Sequence, residues 1–236
     1  MQPITQIPLN FDTVVNLLGS ASGIGWILNY TLMTYYSFRD KTYSMSMLPL
    51  CCNIAWEFVY GVLCPSSTFV VRPVILSWLV LNCLVVYAAI KYSPNEWAHA
   101  PLVQRHLPLL FTVGIAACTG FHIALIRKFD PATAFLWSAR SCQVLLSIGG
   151  LFQLLCRSST KGGSYVLWLS RFLGSICGVL KMTLMWKYGE SRFPWLDDPL
   201  TAYCIALWII SDVLYGVVFY SLRSKELAGA GKAKAI

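Results

Sequence analysis

Seven apolar runs, at roughly residues 14–37, 46–64, 73–92, 106–127, 133–156, 164–188 and 200–222, take up nearly all of this 236-residue chain. Each is close to the ~18 to 25 residues that an α-helix needs to cross a hydrocarbon core about 30 Å thick. The connections are short, such as Arg39-Asp40-Lys41 and the stretch from Arg127 to Pro131, so no extramembrane domain has room to fold. The chain is therefore expected to be all-α, an integral membrane bundle of seven transmembrane helices forming one domain over residues 1–236. Composition agrees: 57% of residues are hydrophobic, 12% are charged and the mean hydropathy is +0.61, too apolar for a soluble domain of this size.

The formal charge of +8 does not point to nucleic acid, because Lys and Arg flank the runs instead of clustering among stacking aromatics. Arg140, Arg171 and Lys181 fall inside runs and are set aside. One side then collects Arg39, Lys41, Lys91, Arg105, Arg157, Lys161, Arg223, Lys225, Lys232 and Lys234; the other collects Arg72, Arg127, Lys128, Lys187 and Arg192. The positive-inside rule places the C-terminal tail in the cytoplasm and the N-terminus across the membrane. With no basic segment before it and no small-residue cleavage site, the first run reads as a retained helix and not a signal peptide. The nine cysteines show no metal-ligand spacing, and His99, His106 and His122 stand isolated, so no metal site is expected.

Two runs carry one signature, Glu57-x-x-Tyr60-Gly61-Val62 and Asp212-x-x-Tyr215-Gly216-Val217. Glu57 lies eleven residues past Ser46 and Asp212 ten before Leu222, which puts both acids about 15–16 Å from the same side, near mid-membrane. An ionisable group there is costly and reads first as a functional site. Helical spacing aligns Asn53, Glu57, Tyr60 and Gly61 on one stripe, and Trp208, Asp212, Tyr215 and Gly216 on another. The two helices run in opposite directions. Facing each other, the stripes would place the tyrosines above and below a carboxylate pair, with the glycines making room beside the acids.

No cation appears at matching depth, since Arg140, Arg171 and Lys181 lie about 10 Å from an interface and can snorkel. Arg171 is the best of the three for a place near the pocket. At least one acid is then expected to be neutral and able to donate a proton. Such a site suits protonation of a weakly basic lipophilic group, an epoxide or alkene, followed by a carbocation held against aromatic faces. Trp56, Tyr60, Trp208 and Tyr215 lie near the acids in sequence. Ionisation of a prenyl diphosphate would instead need carboxylates arranged for magnesium, and Asp197-Asp198 reads as a polar turn.

The segments Trp26-Ile-Leu-Asn29-Tyr30, Leu48 through Glu57 to Tyr60, and Leu155 through Thr160, Tyr165 and Arg171 to Gly174 resemble the fungal membrane-bound terpene cyclases of meroterpenoid and indole-diterpene biosynthesis. They are of the pyripyropene-cyclase type and are similar above all to the paspaline-forming branch. The resemblance covers nearly the full length. It implies an enzyme that cyclises an epoxidised prenyl chain carried on an aromatic, polyketide-derived or indole head group, with the two required acids at Glu57 and Asp212. Substrate contacts are expected at Asn53, Trp56, Tyr60, Trp208 and Tyr215 beside the acids, at Arg171, and at Asn29 and Tyr30 in the first resembling segment. No metal, nucleotide or organic cofactor is implied. The partners are the lipophilic substrate, the lipid bilayer and the membrane-bound epoxidase and prenyltransferase of the same pathway, with the endoplasmic reticulum as the expected membrane.

The alternative is a small proton-coupled transporter using the same midplane carboxylates. The absence of a full-length inverted repeat weighs against it. Which acid gives the proton is open at this level, because coupled carboxylates share their titration; Glu57, in the more polar stripe with Asn53, is preferred, with Asp212 holding or relaying the proton.

Overall fold

Short polar residues at the ends of the apolar runs set where helices begin. Asp130 accepts hydrogen bonds from the backbone N–H of Ala132 and Thr133 ahead of a helix opening on Pro131, and Ser164 caps the next helix through the N–H of Leu167. Asp198 accepts from the Leu200 N–H at 3.1 Å, so the Asp197-Asp198 pair is a polar turn as expected. The computed structural model describes residues 10–65, 71–188 and 197–233. Arg192 and Lys234, counted above among the flanking cations, lie outside these residues, as does the side chain of Lys232.

All regular structure among the described residues is helical: α1 (Phe11–Arg39), α2 (Met47–Phe58) continued by a π-helical turn (Val59–Leu63), α3 (Val71–Lys91), the single turn α4 (Ser93–Glu96), α5 (Pro101–Lys128), α6 (Pro131–Arg157), α7 (Tyr165–Lys187) and α8 (Pro199–Ala233). Six of these are long and apolar enough to cross a membrane. The second run differs from expectation. With its π turn it forms a 17-residue helix, Met47–Leu63, about 25 Å long and short of a full hydrocarbon core. Burial accompanies the shortness: every residue from Pro49 to Glu57 is buried, so the middle of this helix is enclosed by protein, and only its ends, at Leu48 and at Phe58, Val62 and Leu63, are exposed. The outer helices instead present Leu17, Ile24, Val80, Leu102, Leu109 and Val217 outward, the apolar surface of a multi-pass bundle.

α2 packs against α3, α5 and α6; α1 packs on α7 and α3; α8 packs on α6 and, less extensively, on α7. α1 and α7 approach closely where a Cβ on Gly25 would lie 2.7 Å from the Ser170 carbonyl oxygen, the small-residue contact that lets membrane helices pack backbone to backbone. Asn29 fastens the same interface by donating to the Leu167 carbonyl at 2.8 Å.

At the end of the bundle rich in Lys and Arg, the connections are laced together. Asp40 accepts from the Gly162 N–H at 2.8 Å, Arg157 pairs with Glu96 at 3.0 Å, and Asn95 donates to the Lys41 carbonyl at 2.9 Å. α8 continues eleven residues past the expected end at Leu222. Its Glu226 accepts from the Ser159 hydroxyl and the Thr160 N–H, so the extension clasps the loop between α6 and α7.

Candidate active site

Glu57 is completely buried near the C-terminal end of α2, two residues before the backbone widens into the π turn. Asn82, a lone amide in the apolar α3, donates to its Oε1 at 2.7 Å; Oε2 has no hydrogen-bond partner. The Tyr30 hydroxyl stands beside the same carboxyl, and Asn53 donates to Tyr30 at 3.4 Å. No cation pairs with Glu57 among the described residues.

An arc of rings runs out from Tyr30, which stands beside this carboxyl. Trp26, Tyr30 and Trp78 follow one another at centroid separations of 5.7 and 5.6 Å. Trp78 leads to Trp56 at 6.4 Å, and Trp56 to Phe135 at 5.3 Å and Tyr60 at 5.5 Å. The Tyr60 hydroxyl is tied to Ser138 of α6 at 2.9 Å, which fixes that end of the arc. Aromatic faces carry negative potential, so the arc offers a developing carbocation a wall that does not react with it.

Asp212, also completely buried, has a different partner: the Arg171 guanidinium of α7 donates to its Oδ1. The expectation that no cation reaches the acids is therefore corrected. Arg171 starts from a shallower position on α7, and its long side chain covers the remaining distance to Asp212. The guanidinium also lies 5.5 Å from the Tyr215 ring centroid. Trp208, one turn before Asp212, packs edge-on against Phe172 at 6.2 Å. Trp168 donates its indole N–H to the Asp212 backbone carbonyl at 2.9 Å.

The two acids do not form the facing pair that the stripes suggested. α6 packs on both α2 and α8, which share no packed interface of their own. The glycines have another purpose as well. A Cβ on Gly216 would lie 2.4 Å from the Trp168 ring and one on Gly61 would lie 3.1–3.2 Å from Leu76 and Ile75, so each glycine admits a side chain of a neighbouring helix and neither opens space beside its acid. A narrow crevice opens from the α6–α7 loop at Arg157, Thr160 and Gly162 and runs past Met45 and Leu146 to Arg171 and Tyr215; neither acid lines it. At Gly150 a Cβ would come within 3.7 Å of the guanidinium, and the Met45 sulfur touches Asn53 at 3.5 Å.

Of the residues singled out from sequence, Tyr30, Asn53, Trp56 and Tyr60 gather around Glu57, while Arg171, Trp208 and Tyr215 gather around Asp212. Asn29 belongs to the α1–α7 contact. Sequence reasoning passed over Asn82, Trp78 and Phe135. Asn82 was visible in principle as the one amide within Leu79–Val86; the two rings have no local signal, because only the fold brings them beside Trp56.

Residues 2–225 match the family model described as Pyr4-like transmembrane terpene cyclases. The chain is 99% identical over 236 residues to terpene cyclase andB of Emericella variicolor, covering all of both chains. It is 50% identical over 204 residues to terpene cyclase atmB of Aspergillus flavus, covering 86% of this chain and 84% of that one. With asnovolin H synthase nvfL of Aspergillus novofumigatus (strain IBT 16806) the identity is 48% over 231 residues, 96% and 95% of the two chains. The family match spans both buried acids and reaches into α8, and the chain belongs to the Pyr4-like transmembrane terpene cyclases.

Proposed function

We propose that this chain is a protonation-initiated cyclase in which Glu57 gives its proton to the terminal epoxide of a prenyl chain carried on an aromatic, polyketide-derived or indole head group. The observation that carries the reading is the pocket of Glu57: a fully buried carboxyl with one amide donor, no ion-pair partner among the described residues and an arc of aromatic rings beside it. An unpaired carboxylate is poorly tolerated in such surroundings, so the neutral acid is the resting form. As the epoxide C–O bond breaks, the oxygen takes the proton and becomes a hydroxyl, and neighbouring double bonds attack the cationic carbon in turn. Asn82 then stabilises the carboxylate left on Glu57. The final cation loses a proton or is captured by an internal hydroxyl, and net composition is unchanged, an isomerisation.

Asp212 has the complementary role in this reading. Held by Arg171, it serves as the relay or acceptor for the proton released last. No metal or organic cofactor enters these steps. The protein sits in the endoplasmic reticulum membrane with its C-terminus in the cytoplasm, as one domain beside the epoxidase that makes its substrate and the prenyltransferase before it. The test is to incubate microsomes containing the chain with an epoxidised farnesyl-polyketide and, separately, an epoxidised geranylgeranyl-indole, and to identify products by mass spectrometry and NMR. A cyclic isomer of either substrate supports the reading; recovery of both epoxides unchanged, with the protein present, contradicts it.

A further inference from the structure

His122, read from sequence as isolated, is completely buried between two thiols supplied by other helices. Its Nε2 lies 3.6 Å from Cys52 Sγ of α2 and 4.0 Å from Cys142 Sγ of α6, and the two sulfurs are 3.6 Å apart. Cys118, one helical turn before His122 on α5, adjoins the Cys52 thiol as well. Cys52 and Cys142 come from other helices far away in sequence, which is why no motif revealed the cluster. The His122 Nε2 also lies 3.2 Å from the Cys52 backbone carbonyl oxygen, a contact that metal binding would replace, and its Nδ1 is buried without a hydrogen-bond partner.

A tetrahedral metal with sulfur at about 2.3 Å and nitrogen at about 2.0–2.1 Å has S···S edges of about 3.8 Å and S···N edges of about 3.6 Å. The observed triangle needs movements of only a few tenths of an ångström to meet that shape. Two or three thiolates with one imidazole are the soft donors that select a thiophilic cation over magnesium or calcium. The site also has an approach from outside: Cys52 and Cys118 line a lateral cleft of about 470 Å³ together with Phe121, Trp137 and Leu145.

We propose that Cys52, His122 and Cys142 form a binding site for Zn²⁺ that cross-links α2, α5 and α6, with Cys118 completing the tetrahedron after a rotation of its side chain. The thiols lose their protons to solvent on binding, and the imidazole is neutral. The cation takes no part in cyclisation. It fixes α2 at a point five residues before Glu57, about 7.5 Å along the helix axis, and so holds the acid in register with α3 and the aromatic arc.

The test uses the full-length chain purified in detergent under reducing conditions. Zn²⁺ content is measured by inductively coupled plasma mass spectrometry, and added Co²⁺ is followed through its thiolate charge-transfer absorbance. The expected result is one equivalent of metal per chain, with at least tenfold weaker Co²⁺ binding in Cys142→Ser and unchanged binding in Cys156→Ser, an exposed cysteine outside the cluster. X-ray absorption on the Zn²⁺-loaded wild-type chain gives an answer independent of how the variants fold, and mixed sulfur and nitrogen ligation is expected. A wild-type chain that takes up no metal, a Cys142→Ser chain that binds as tightly, ligation by oxygen alone, or a Cys52–Cys142 disulfide in the purified protein overturns the proposal.

Discussion

Asn82 hydrogen-bonds Glu57 at 2.7 Å, and it is an amide, able to donate equally to the acid and to the carboxylate. Its value to the reaction is in the second state, when the proton has left. Asn82→Leu should therefore lower kcat about tenfold, the worth of one hydrogen bond in a buried site, with little change in KM, as single-turnover kinetics on microsomes would read. Arg171 and Asp212 are coupled differently, as a buried ion pair. Arg171→Met strands a carboxylate and should destabilise the fold by about 3–5 kcal/mol, whereas the double variant Arg171→Met/Asp212→Asn should recover most of that stability. Thermal unfolding in detergent checks both, and equal loss in the single and double variants would remove the pair from the account. At this scale the sequence was most informative about the acids, because their cost in lipid marks them individually. It was least informative about Arg171, whose reach depends on how closely α7 and α8 approach.

Among the elements, α2 departs furthest from the expected pattern. Its residues are as apolar as those of a spanning helix, so periodicity and length suggested another crossing of full size; only the packing of α3, α5 and α6 around it accounts for a short helix ending in a π turn beside the acid. π turns recur at functional sites because they shift the side chains that follow by one position. The other boundaries were legible to within a few residues, except at α8, where Arg223–Ala233 continues the helix with good helix formers. Close helix approach gives a direct check. Gly25→Ala places a methyl group 2.7 Å from the Ser170 carbonyl oxygen and should cost about 1–3 kcal/mol, while Gly23→Ala, with open space around it, should be nearly neutral. Gly216→Ala should displace Trp168 and reduce activity more than stability, since the indole it moves holds the Asp212 backbone.

Over the whole molecule, the end rich in Lys and Arg behaves as a closed cap of interlocking loops. Burial alone would raise the Asp40 carboxyl, but Arg39 and the Gly162 N–H outweigh it and hold the group below the usual carboxylate range. Its contribution to folding is thus complete above the unfolded value of about 3.9 and is lost as pH falls through the lower folded value. Proteolysis at the α6–α7 loop should be flat across neutral pH and rise only below about pH 4. The expected orientation can be read on sealed microsomes, where a C-terminal tag should be digested from outside and an N-terminal tag protected. Both tags on one side would mean that α2 does not complete a crossing.

The central claim is that Glu57 is the proton donor. Its most direct test is the rate at which membranes carrying Glu57→Gln convert the epoxidised substrate accepted by the wild type, normalised to the amount of folded protein. Glutamine keeps the shape and the bond from Asn82 but holds no acidic proton, so cyclisation should fall by at least about 10²-fold while the protein accumulates normally. Wild-type turnover by Glu57→Gln would contradict the assignment and move the proton to another group.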